Sequence, residues 1–132
     1  MPVIFQKWIS REDLVNNRDV LYLFGDNLER KGMGGQAKEM RGEPNAVGIA
    51  TKKKPSLFED SFFSDADMEL FLTHYDEDME RVDEHLDQGG VVVVPSDGLG
   101  TGLSELPTRA PKINQYIVGG IQSMRKIYGQ YI

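Results

Sequence analysis

Apolar residues fall along this chain in two rhythms. Near-continuous runs stand at residues 20–25 (VLYLFG) and 91–95 (VVVVP), with shorter ones at 3–8 (VIFQKW) and 46–52 (AVGIATK). The run at 20–25 has the look of a strand buried on both faces and that at 46–52 of a short buried strand; 91–95 is the strongest strand prediction, and 3–8 has strand-like residues. Between 65 and 87 the rhythm changes, and Met68, Phe71, Leu72, Tyr75, Met79, Val82 and Leu86 recur at steps of three and four, one stripe of a helix. Ser64 is placed to cap it, Asp65 and Asp67 suit its positive end, and Gly89-Gly90 stops it. A last helix is expected over 110–128, with Thr108 as its cap, Pro111 in its first turn, and Ile113, Tyr116, Ile117, Ile121 and Met124 inward.

Two shorter helices complete the pattern. Ser10 with Asp13 three residues on predicts one after the first strand. QAKEMR, entered through Gly32 to Gly35 and broken by Pro44-Asn45, predicts the other. The stretch 53–64 is irregular, and Leu57, Phe58, Phe62 and Phe63 are expected to tuck it onto the body. Strands alternating with helices imply a mostly parallel sheet covered on both sides. The expected fold is a single α/β domain over residues 1–132, a three-layer α/β/α sandwich.

Composition narrows the function. A length of 132 residues suits one core, and a net charge of -6 argues against a broad surface gripping nucleic-acid backbone. It leaves room for a pocket that takes one nucleotide. The absence of cysteine excludes disulfides, thiolate zinc sites and thiol catalysis. No basic leader with a long apolar segment opens the chain, and no apolar run is long enough to cross a membrane, so the expectation is cytoplasmic. His74 and His85 lie among acids without metal-ligand spacing, and no metal or cofactor is expected. Trp8 reads as a core or loop anchor, and Phe58 as the loop aromatic to test for stacking on a base.

Chemistry concentrates where three predicted strands end. The segments are Gly25-Asp26-Asn27 through Gly34-Gly35, Thr51-Lys52 with Lys53 and Lys54, and residues 96–102, which include Gly98, Leu99, Gly100, Thr101 and Gly102. Parallel sheets put ligands at the carboxyl ends of their strands, and facing glycine-rich loops offer backbone N–H groups to a pyrophosphate. The plainer reading of the same glycines is tight turns, and of the lysines a solvated basic loop. Neither loop has the spacing of a dinucleotide fingerprint or an NTPase P-loop.

In order, these segments resemble the signatures of the macrodomain family. GDNLERKGMGGQAKEMRG is similar to an asparagine-bearing turn leading to a glycine-rich helix start, and VVVVPSDGLGTGLSEL to a strand ending in a phosphate loop. GIATKKKPS resembles the Thr-Lys strand end of the branch that removes ADP-ribose from DNA bases or carboxylates. The likeness spans residues 20–127. It implies an ADP-ribose or ADP-ribosylated partner, including ADP-ribosylated DNA, with Asn27 beside the distal ribose and Gly34 and Gly35 closing over it. It further implies Lys52 acting at the anomeric carbon, and Gly98, Gly100, Thr101 and Gly102 around the phosphates.

The acid that works with the lysine has no fixed register. Glu105 is the first choice, Asp97 and Asp26 follow, and one alignment places Gly102 there. Lysine chemistry at the opened sugar needs an unprotonated amine, which Lys53 and Lys54 would favour by repulsion. Three functions therefore stand: a glycohydrolase, a nucleotide-binding module without chemistry, and an interaction protein whose loops are only turns.

Overall fold

A computed structural model describes residues 2–128. Four strands, β1 (Val3–Gln6), β2 (Val20–Asn27), β3 (Ala46–Lys52) and β4 (Val91–Pro95), form one sheet in the order β1-β4-β2-β3 with every pairing parallel. The helices are α1 (Arg11–Asn16), α2 (Ala37–Met40), α3 (Met68–Asp87), α4 (Leu106–Arg109) and α5 (Pro111–Tyr128), with 3-10 turns at Glu59–Ser61 and Asp65–Asp67.

Alternation within each strand sorts the helices into two layers. Leu21, Leu23, Val47, Ile49, Val92 and Val94 share one cluster with Phe71, Tyr75, Val82 and Leu86 of α3 and Ile113, Ile117, Ile121 and Met124 of α5. Their neighbours Tyr22, Phe24 and Val93 point the other way, to Leu14 of α1 and Ala37 and Met40 of α2. The molecule is a three-layer α/β/α fold. The central strands β2 and β4 are covered on both faces, which is why they carry no polar alternation, whereas the edge strand β1 leaves Ile4 and Phe5 partly exposed.

The capping expectations hold at Ser10, where side chain and Asp13 form a reciprocal box, and at Ser64, which does the same with Asp67. Ser64 begins a 3-10 turn, however, and regular α3 starts at Met68. Four readings need correction. β2 runs on through Asp26-Asn27 instead of stopping at Gly25, because parallel pairing with β3 continues to that point. Thr108 caps nothing: it lies within α4, a turn entered through Glu105 in left-handed conformation (φ 51°). Tyr116 is 46% exposed, its ring edge-on to Tyr75 at 5.5 Å at the rim of the core. In the 53–64 stretch Phe62 and Phe63 are buried, but Leu57 and Phe58 face solvent.

Charge is segregated along this frame. α3 carries eight carboxylates against Arg81 alone, whereas the rest of the chain has thirteen acids and fourteen bases. α3 leads from the carboxyl end of β3 back toward the start of β4, so its acids from Glu80 to Asp87 lie toward the amino ends of the strands, whereas Asp78 pairs at 2.8 Å with Arg30 beside the middle of β3. No helix among the described residues is long and apolar enough to cross a membrane.

Candidate functional site

Strand order fixes where a cleft must open. β2 and β4 are neighbours, yet the chain leaves β2 for α2 on one face and leaves β4 for α4 and α5 on the other. Connections that diverge in this way leave a crevice beyond the carboxyl ends of the two strands. Both glycine-rich loops flank it. Glycine at position 25 permits the contact between them: a Cβ there would stand 3.3 Å from the backbone nitrogen of Gly100 and 3.4 Å from Thr51 Oγ1. Gly100 itself has φ +80°, and a Cβ would meet Leu106 at 2.5 Å.

Lys52 reaches the crevice through a slip in register. Asp26 pairs with Ala50, but Asn27 pairs with Lys52, so Thr51 is the extra residue and the lysine stands opposite the asparagine. Such irregularities re-aim side chains at strand ends. Asn27 uses its amide to close the following turn, donating to Lys31 O (2.7 Å) and accepting from Glu29 N (3.0 Å), which leaves one amide N–H for the cleft.

Two adjoining cavities result, of about 150 and 230 Å³. The first is bounded by Asp26, Asn27, Lys31, Arg41 and Lys52, the second by Lys7, Trp8, Asp97, Gly98, Gly100 and Gly102. Gly25, Gly34, Leu103 and Ser104 border both. Leu103 lies over Gly34, its Cδ1 2.8 Å from where a Cβ would be, and divides the cleft. Neither part alone reaches the roughly 300 Å³ at the low end of small-ligand pockets. A nucleotide needs both.

The electrostatics run against the molecule's net charge. Among the described residues, Lys7, Lys31, Arg41 and Lys52 line the two cavities against two acids, Asp26 and Asp97. Asp26 is already neutralised. Arg41 grips it at 2.5 Å and 3.2 Å and also donates to the carbonyls of Gly32 (2.7 Å) and Lys31 (3.2 Å), stapling the glycine-rich turn to β2. Gly48 makes room for that carboxylate, since a Cβ there would overlap Asp26 Oδ2.

Lys52 is 6% exposed, its ammonium 4.6 Å from the centre of the Phe62 ring. Burial holds its pKa below the ordinary lysine value, Glu105 pulls it back up, and Arg109 pushes it down. Lys53 and Lys54, expected to supply this repulsion, instead pair outward with Asp67 and Asp60 at 3.5 Å each.

The remaining residues singled out in the sequence divide between the cleft and its support. Gly34, Gly35, Gly98, Gly100, Thr101 and Gly102 all border the second cavity. Leu99 does not: its side chain is 3% exposed and anchors the loop from within the core. Thr51 is fully buried and donates to Asp26 O. Glu105 borders neither cavity and pairs with Arg109 at 3.2 Å, although its charge is felt at Lys52. Phe58 is 77% exposed and borders neither cavity. His85 faces the backbone, its ring nitrogen 3.0 Å from Val91 O, and no cluster among the described residues can hold a metal ion.

Sequence reading missed Trp8, Lys7, Arg41 and Ser104. Trp8 is 54% exposed at the second cavity and no core residue. Gln36 holds it there by pairing both ways with the backbone of Ile9, at 2.9 Å and 2.8 Å. The signal was available in KWIS, where an indole follows a strand end, but only strand order brings that end beside the β4 loop.

The model of the Family of unknown function (DUF7831) matches residues 4–120. No curated protein and no solved structure matches the chain.

Proposed function

The chain belongs to DUF7831, a family of unknown function, and from the geometry of the cleft we propose that it binds ADP-ribose or a related nucleotide and hydrolyses an ADP-ribosyl linkage. One observation carries the reading: three polar strand ends, macrodomain-like in their order along the chain, meet in a basic cleft on an acidic protein. The glycine loops at 34–35 and 98–102 supply N–H groups for the diphosphate. Trp8 offers an aromatic face for the base beside them. The ribose at the far end meets Asn27 and Lys52.

Lys52 is the working group. Its amine forms a bond to C1 of the ribose as the C1 bond to the nucleobase or carboxylate breaks, the electron pair leaving with that group. Glu105 takes the proton that the nitrogen loses. The C1–O4 bond of the ring then breaks as that proton passes to the ring oxygen, leaving a protonated Schiff base, and water adding at C1 displaces the lysine amine to return free lysine and ADP-ribose. A depressed lysine pKa suits this step, because the protonated form has no lone pair to attack with.

A second reading, binding without turnover, is favoured by Glu105, which is tied to Arg109 outside the cavities. Calorimetry with ADP-ribose tests binding, and the absence of heat at millimolar ligand removes both readings. Incubation with ADP-ribosylated DNA and with ADP-ribosylated protein divides enzyme from binder. In the enzyme, Lys52→Ala is expected to abolish turnover and keep much of the ligand affinity. Normal turnover by that variant would end the lysine mechanism.

A further inference from the structure

Thr51 Oγ1 lies 3.1 Å from the carbonyl oxygen of Asp26 and 2.7 Å from Ser104 Oγ. A carbonyl only accepts, so the one hydroxyl hydrogen of Thr51 goes to Asp26. The contact with Ser104 then has one polarity: Ser104 donates and Thr51 accepts. The hydrogen of Ser104 is thereby turned into the protein, and its lone pairs are left at the cleft. Ser104 borders both cavities and is half-buried where they join, in the same chamber as Asn27 and Lys52.

Resting on the nucleotide-binding reading above, we infer that Ser104 is a specificity residue that admits a hydroxylated sugar and disfavours a further phosphate at this end of the ligand. A ribose hydroxyl placed there donates to Ser104 Oγ. A phosphate oxygen brings only lone pairs and negative charge, and meets the lone pairs of Ser104 without a hydrogen between them. Thr51 is the positioning residue that sets this polarity from beneath. The cleft cations draw in any nucleotide, whereas Ser104 distinguishes a diphosphate linked to a sugar from a triphosphate.

The experiment compares ADP-ribose, ADP and ATP by calorimetry on the wild type and on Ser104→Ala and Thr51→Val. The wild type is expected to bind ADP-ribose at least about tenfold tighter than ATP. Ser104→Ala should narrow that gap about fivefold by weakening ADP-ribose, the loss of one hydrogen bond, with ADP affinity unchanged as the control for an intact cleft. Thr51→Val frees the Ser104 hydrogen to turn outward and should narrow the gap from the other side, by strengthening ATP. A gap that stays the same in Ser104→Ala, with ADP still bound, overturns the role of Ser104 and leaves the nucleotide reading standing. If none of the three ligands binds the wild type, the nucleotide reading falls and this inference with it.

Discussion

At the scale of single residues, Lys52 is governed by what surrounds it more than by its neighbours in sequence. Burial lowers its pKa, and two charges adjust it in opposite directions. Removing each should move the titration accordingly: Arg109→Gln raises the Lys52 pKa, and Glu105→Gln lowers it. Side-chain NMR titration of the ammonium reads both shifts, and equal values in all three proteins would show that neither charge reaches it. The sign for stability follows from the same shift. The folded state releases this proton at lower pH than the unfolded chain does, so stability rises as pH climbs from the folded pKa toward 10.5. Lys52→Met should be more stable than the wild type at neutral pH, where burying the ammonium is a cost.

Between α3 and α5 the packing makes two predictions. α5 has two mid-helix glycines with different surroundings. Gly120 leaves space for the Tyr75 hydroxyl, which would overlap a Cβ, while nothing lies within 4 Å of a Cβ at Gly119. Gly119→Ala should therefore stabilise by up to about 1 kcal/mol, the helix-propensity difference, and Gly120→Ala should destabilise despite the same propensity gain. Urea unfolding of the pair reads the contrast directly. Tyr75 itself has its pKa pushed up to about 12, chiefly by burial, with Tyr116, Asp83 and Asp76 adding to it. The unfolded chain loses this proton near pH 10 and the folded one near 12, so stability should fall across that interval, by on the order of 2 kcal/mol. Tyr75→Phe should not show that loss.

How much of this was legible in advance varies by element. β3 and β4 match their predicted bounds because both are short apolar runs with polar ends, and the α3 stripe emerged because its period is sustained over five turns. The α4 turn was not legible, since LPTR has no stripe and its entry depends on a left-handed Glu105. For the site, the strand ends could be named from sequence, but not their neighbours. Arg41 is only the last residue of a short predicted helix until Asp26 is seen beneath it, and Trp8 reads as a core or loop anchor until β1 is placed beside β4. These contacts join residues 15 positions apart, as Asp26 with Arg41, or 89 apart, as Val3 with Val92, and local pattern carries no record of them.

For the molecule as a whole, charge decides what can approach. Binding of an anionic nucleotide in a cleft with Lys7, Lys31 and Lys52 beyond the Arg41–Asp26 pair should weaken with rising salt, since screening reduces the attraction. Unmodified duplex DNA should show no measurable binding at physiological salt, because its many phosphates meet no broad basic surface. Filter binding and calorimetry across a salt series check both; tight binding of bare duplex would contradict the charge distribution. Four acids of α3, Glu80, Asp83, Glu84 and Asp87, crowd the half of the helix that runs toward the amino ends of the strands, so negative charge is concentrated on that flank. A polyanion is therefore repelled most strongly from that flank of the molecule, and its approach is least opposed from the sides away from it.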